Sequence, residues 1–411
     1  MEVVHSHCAG IDVHKDTLMV AAVTPGSGKK PTVELREVGT MTADLLAMVD
    51  WLRGLGVTHV AMESTGVYWK PVFNLLEGTF QVILANARHI KAVPGRKTDV
   101  RDCQWIAELL RHGLLTASFI PPAPIRELRE WTRYRQKLVQ ERSAESNRIQ
   151  KLLETMNIKL GSVASDVLGV SGRAMLAQLV AGETDPAKLA DLAHGRLRDK
   201  REQLCAALTG RITANGRRLL REQLQHLEYL DQAVARCEAE IEAALRPFEA
   251  AAARLMTIPG VGLQSAASII AEIGVDMNQF PSAAHLSSWA GICPGNNESA
   301  GKRRSGHTRA GNRWLCAALT QAAWGASHSK GTYLSAQYRR LAGRRGRKRA
   351  IVALGHSLLV IVYHLLKDDL IYQELGADFL DQRNKDHTAK RLAKRLQQLG
   401  YDVTLIPKTA A

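Results

Sequence analysis

The sequence predicts a mixed architecture, an α/β unit at the front followed by an all-α remainder. Three observations carry this expectation. Up to residue 120, short apolar runs with strand spacing alternate with helical ones; a proline cluster, Pro121-Pro122-Ala123-Pro124, then breaks the pattern; beyond it the apolar repeats take a helical period. A chain of 411 residues is long enough for two or three domains, and its 45% hydrophobic content excludes wholesale disorder.

Residues 8–13, 17–23 and 32–38 read as three strands, with turn signals at 14–16 and 25–30. Residues 43–55 carry Leu45, Leu46, Met48, Val49 and Leu52 at helical spacing. Residues 59–62 read as a buried strand, 72–76 as helix, 80–85 as another strand and 99–111 as a closing helix. Three strands followed by alternating helices and strands is the order of an RNase H-like α/β domain, expected over residues 1–120.

Residues 125–159 and 197–253 are long, charged and helical, with shorter helices between them at 169–191. The region 125–253 is expected as an antiparallel helical insertion or coiled-coil linker, with an ordinary bundle as the plainer alternative. At residue 255 the texture changes. Residues 257–274 read T-I-P-G-V-G-L-Q-S-A-A-S-I-I-A-E-I-G, a helix–hairpin–helix signature in which Gly260 and Gly262 would present backbone N–H groups to a nucleic-acid phosphate. A tight helical joint with no ligand is the alternative. A helical C-terminal domain is expected over 255–375, then a tail, 376–411, with a helix and a final strand within 389–407. The apolar stretch 350–366 follows a basic run, like a membrane helix with a positive-inside flank. It falls short of the roughly 20 residues needed to span, and His356, Ser357 and His364 interrupt it, so a buried core helix and no membrane are expected.

Lys plus Arg exceed Asp plus Glu by 55 − 40 = 15, and this excess argues for a polyanionic partner, most simply nucleic acid. The six cysteines show no C-x-x-C pair, which argues against a zinc ribbon or a disulfide scaffold and for reduced thiols in the cytosol. The N-terminus lacks the layout of a signal peptide.

Four acids stand out: Asp12 in G-I-D-V-H-K, Glu63 in H-V-A-M-E-S-T-G, and Asp99 and Asp102 in K-T-D-V-R-D. Nucleases of the RNase H-like type hold two divalent ions about 4 Å apart on carboxylates. Mg²⁺ prefers hard oxygen ligands, with Mn²⁺ as the alternative ion. An acid on the first strand, one on the fourth and a later pair on one helix face match that assembly. A D-x-x-D at a helix start also suits the helix dipole without any metal. Asp16, Asp44 and Glu108 lack this placement and read as surface charge.

From 291 to 315 the chain carries Lys302, Arg303, Arg304, Arg309 and Arg313 among Gly295, Gly301, Gly306 and Gly311. Glycine allows close backbone approach and arginine forks match phosphate oxygens. Ser299 within this loop could attack phosphorus and hold the cut end as a phosphoserine. No His–Asp pair is adjacent to activate it. On composition alone a phosphate-binding loop is the plainer reading, and Ser305 is as good a candidate. The run 338–349, with Arg344, Arg345 and Arg347 among seven cations, suits a nucleic-acid backbone.

These ordered motifs, with A-M-E-S-T-G-V-Y-W, T-I-P-G-V-G and W-A-G-I-C-P-G-N-N-E-S-A-G-K-R-R-S-G-H-T-R-A-G-N-R-W-L, carry a resemblance. The chain resembles the insertion-sequence one-ten family of transposases, also called DEDD transposases, over essentially its whole length. The resemblance implies a RuvC-like N-terminal domain with the tetrad Asp12, Glu63, Asp99 and Asp102. It also implies a coiled-coil linker and a C-terminal transposase domain whose catalytic serine matches Ser299 and not Ser305. It further implies a Mg²⁺-dependent recombinase guided by an element-encoded bridge RNA that pairs with target and donor DNA. A homo-oligomer, dimer or tetramer, would join the tetrad of one subunit to the serine of another, in the bacterial cytoplasm at the nucleoid. His14, where a small residue is commoner, and Ala300, where many members have glycine, are the two departures. A water-using nuclease or junction resolvase, and a non-catalytic nucleic-acid scaffold, are the competing functions.

Overall fold

The computed structural model describes residues 2–28, 30–63, 66–85, 99–295, 297–305, 307–383 and 385–406, with side chains at all but 99–101, 297–299 and 303–305. The chain divides into two compact units, Met1–Ile120 and Pro121–Ala411.

In the first unit, β1 (Cys8–Val13), β2 (Thr17–Thr24) and β3 (Thr32–Gly39) precede α1 (Thr42–Gly54), β4 (His59–Glu63), α2 (Trp69–Leu76), β5 (Gln81–Ala85) and α3 (Asp99–Arg111). The sheet order is β3-β2-β1-β4-β5; the first three strands are antiparallel, and β4 and β5 run parallel to β1. Ile11, Val20, Met62 and Leu84 pack with α1 and α2 on one face, while Cys8, Ala21 and Ala61 pack with Cys103, Ile106 and Ala107 of α3 on the other. Covered on both faces, β1 is buried along its whole length, which is why its sequence is apolar without alternation. The edge strand β3 instead carries Glu34, Arg36 and Glu37, charges that discourage pairing with another chain. Arg36 lies 4.2 Å from the Trp51 ring centre.

The second unit opens with α4 (Ala123–Thr155), started behind Pro122 with Pro124 in its first turn, where a missing N–H costs nothing. It packs against α5 (Ala214–Leu245), whose cap Thr213 accepts a hydrogen bond from the Gly216 N–H. Pairs Arg135–Glu238, Arg142–Asp231 and Glu145–His226 run in opposite sequence directions, so the two helices are antiparallel. Short helices within 160–208 form their own core, with Leu160, Met175, Leu189 and Leu204 packed on Ile149 and Leu227 of the long pair. The helical texture of 197–253 is therefore several helices and not one.

Then follow α6 (Glu249–Met256), α7 (Leu263–Ile273), α8 (Ala283–Ala290), the hairpin β6 (Asn297–Ser299) and β7 (Lys302–Ser305), α9 (Arg313–His328), α10 (Tyr333–Arg345), α11 (Arg347–Lys367) and α12 (Lys385–Gln398). By length and composition α11 could cross a membrane. Here it packs against α8, α9 and α10, and Leu354, Leu358, Leu359 and Val362 are 0% exposed, as expected of a core helix. The strand expected near the C-terminus is not found among the described residues 399–406.

Candidate active site

Asp12 lies near the end of β1 and Glu63 at the end of β4. Ile11 pairs with Met62 in the parallel ladder, so one further step sets Asp12 beside Glu63, on strands about 4.8 Å apart. Alternation fixes the face they use. Ile11, Val13, Val60 and Met62 fill the core with α1 and α2, whereas Cys8 and Ala61 belong to the cluster with α3. Asp12 and Glu63 therefore share the α3 face.

Gly10 lets α3 approach that face. A Cβ there would stand 2.2 Å from the carbonyl oxygen of Cys103 and 2.4 Å from the amide nitrogen of Ala107. Asp102, the residue before Cys103, is carried in with the helix. Burial pushes the Cys103 thiol up to about 11, and the charges of Asp12 and Asp102 push the same way. Asp12 is 7% exposed, and its Oδ2 lies 3.3 Å from His14 Nε2. Among the described residues no group of three or more His, Cys, Asp or Glu closes into a metal-binding cluster. The side chain of Asp99 lies outside the described residues.

In the second unit, Ser299 ends β6 and pairs with Lys302 across the connection Ala300-Gly301. Both connecting residues are left-handed, with φ of +51° and +72°, as a two-residue type I′ hairpin demands. At its other end the lobe is drawn into a neck. Pro294 bridges Thr308, and the Gly295 N–H donates to the His307 carbonyl at 3.0 Å. Gly291 and Gly311 touch through backbone; a Cβ on Gly311 would stand 2.2 Å from the Ala290 oxygen. Gly311 thus serves the neck, where spacing alone suggested a phosphate wrap. Lys302, Arg309 and Arg313 are exposed, and Arg313 lies 4.6 Å from the Trp314 ring centre. The side chains of Ser299, Arg303 and Arg304 lie outside the described residues.

The two glycines before α7 separate in role. Gly260, at φ +89°, packs its backbone on α9, where a Cβ would meet the Ala326 nitrogen at 2.1 Å. Gly262 is the N-cap of α7 and is exposed, with open space where a Cβ would stand. Arg344 and Arg345 close α10, Arg347 opens α11 and Gly346 turns between them; all are exposed. Cations in the first turn of α11 oppose its dipole, a local cost that a bound polyanion would remove.

Glu272 was missed by sequence reasoning. It is 1% exposed and sits on α7 among Ile270, Ala271 and Ile273. Arg133 of α4 grips it with two hydrogen bonds, 2.7 and 2.8 Å, and Asn312 donates from Nδ2 at 2.5 Å. Arg129 donates to the carbonyls of Ala271 and Glu272 at 2.7 and 2.9 Å. Burial pulls the pKa of Arg129 down to about 10, partly offset by Glu272, and it remains a cation at neutral pH. The signal was present: Glu272 is the one charge in an otherwise uncharged helix.

A model of the DEDD transposase of IS110 elements matches residues 9–158, and a model described as transposase IS116/IS110/IS902 family matches residues 252–339. A probable family 20 transposase of Pseudomonas aeruginosa is 27% identical over 331 residues, covering 79% of this chain and 88% of its own. The transposase for insertion sequence element IS1111A of Coxiella burnetii is 25% identical over 375 residues, 89% and 90% of the two chains. An IS110-element protein of Streptomyces coelicolor is 29% identical over 137 residues, 33% of each chain.

Proposed function

The chain belongs to the IS110 family of transposases, and from that premise we propose that it cuts and rejoins DNA through an acidic site on β1, β4 and α3 and a serine nucleophile at Ser299. The observation that carries this reading is the register that sets Asp12 beside Glu63 on the face α3 covers. We assign the first unit to the RNase H-like, RuvC-like class and the turn before α7 to the helix–hairpin–helix class.

Family membership implies divalent-metal dependence in general. Asp12, Glu63 and Asp102, with Asp99, would hold the ion, Mg²⁺ or Mn²⁺, which when bound neutralises charge at the scissile phosphate. Their oxygens suit such a hard ion. Ser299 flanks the two-residue turn of its hairpin, opposite Lys302, in a stretch rich in cations and glycine that suits a phosphate. In the step assigned to it, the serine oxygen forms a bond to phosphorus and one backbone P–O ester bond breaks. The serine proton passes to the departing oxygen, and reversal rejoins a strand. Gly262 at the α7 start, Lys302, Arg309 and Arg313 on the lobe, and Arg344, Arg345 and Arg347 at the α10–α11 corner supply phosphate contacts. We place the element's own bridge RNA and its target and donor DNA on these surfaces, with the chain acting as a dimer or tetramer.

The test is strand transfer on a supercoiled plasmid bearing the element's ends, with the element-encoded RNA and Mg²⁺. Asp12→Asn and Glu63→Gln are expected to lose about 10³-fold in rate, since a metal site supplies several kcal/mol of charge stabilisation. Ser305→Ala is expected to retain activity. Wild-type rates in Asp12→Asn would refute the acidic site.

A further inference from the structure

We propose that Glu272 is a positioning residue for the hairpin that bears Ser299, acting through Asn312 at the neck of the lobe; the proposal rests on the serine reading above. Asn312 stands directly after Gly311, where the lobe leaves its neck. Its Oδ1 accepts from the backbone N–H groups of Trp314 and Leu315 at 3.0 and 3.1 Å, capping α9. That capping commits the oxygen inward and leaves Nδ2 to face outward, where it donates to Glu272 Oε2 at 2.5 Å. Glu272 is in turn fixed by the two-pronged grip of Arg133, and Arg133 lies 5.6 Å from the ring centre of Trp314, the residue Asn312 caps.

Three elements distant in sequence, α4, α7 and α9, thus meet on one buried carboxylate, and the neck is the part of the lobe bonded to it. The Cys316 thiol also donates to the Ala290 carbonyl at 3.2 Å, which holds α8 against the base of α9. The neck is thus held by two bonds at its base, while the turn Ala300-Gly301 is exposed. A hydroxyl that must meet a phosphorus atom within a few tenths of an ångström needs such a base, because small misplacements cost about 10²-fold in rate.

The cap and the link can be separated. Aspartate and serine both cap helices as well as asparagine does. Asn312→Asp, however, sets a carboxylate against Glu272, and Asn312→Ser withdraws the reach to it. Full-length protein, element RNA and Mg²⁺ are incubated with the end-bearing plasmid, covalent protein–DNA adduct is quantified after denaturation, and amide exchange over residues 291–311 is followed. Both variants are expected to exchange faster at Gly295 and to lose at least tenfold in adduct, with DNA affinity within twofold of wild type. Wild-type adduct from both variants, or lost adduct with unchanged exchange, would overturn the proposal. Ser299→Ala runs alongside: adduct formed by that variant removes the serine reading itself, whereas adduct lost in Ser299→Ala but kept in both Asn312 variants removes only the positioning role.

Discussion

Asp12 is confined by three neighbours: the ladder that sets it beside Glu63, the α3 backbone admitted at Gly10, and His14 at 3.3 Å. Gly10→Ala should therefore act on the acidic site without touching an acid. The added methyl meets backbone at 2.2 Å, which cannot move aside, and thermal melting should show a loss of about 3 kcal/mol. Glu272→Ala leaves the partly buried Arg129 and Arg133 without their anion, and denaturant titration should show a loss of about 2–3 kcal/mol. Asp12 and Glu63 stood out in the sequence because a carboxylate on a buried strand has few structural uses. Glu272 was passed over for the opposite reason: its partners, Arg133 and Asn312, lie 139 and 40 positions away, and no local pattern reveals such a pairing.

Strands and helices were legible where their period was clean, as in β1 to β5 and in the long pair α4 and α5. The short helices of 160–208 and the pinched lobe were not, because tertiary contact sets them. Glycine shows the difference most directly. At Gly301 a turn requires positive φ, at Gly311 a neighbouring backbone forbids a side chain, and the same letter in sequence cannot tell these apart. Ala300 occupies the companion turn position at φ +51°, which costs an L-residue about 1 kcal/mol. Ala300→Gly should raise the melting temperature or leave it unchanged while adduct formation persists; a marked loss would contradict the turn. The α4–α5 pair carries a pH signature. Burial would raise the pKa of Asp231, but hydrogen bonds from Arg142 and Arg173 prevail and hold it below its ordinary 3.8. A depressed carboxylate adds stability that is whole above 3.8 and is lost as pH falls through the lower folded value. Wild type should therefore exceed Asp231→Asn in stability at pH 6, and the gap should narrow in acid unfolding below that point.

At the scale of the molecule, the excess of 15 positive charges is concentrated in places and not spread evenly. Arg344, Arg345 and Arg347 share one exposed corner, and replacing all three with glutamine should lower the slope of log affinity against log salt by about 2–3, since each phosphate contact contributes about 0.9. An unchanged slope would exclude that corner from the interface. The charge excess and the family were legible from sequence; which basic surface a nucleic acid would use was not, since every phosphate backbone offers the same charge. The central claim is that Ser299 becomes covalently joined to DNA. Peptide mapping by mass spectrometry of adduct trapped from wild-type protein with Mg²⁺, element RNA and end-bearing plasmid tests it directly. A nucleotide remnant on the peptide containing Ser299, absent in Ser299→Ala and in Asp12→Asn, is the expected result; the remnant on Ser305 or any other residue, or cleavage with no adduct at all, would contradict it.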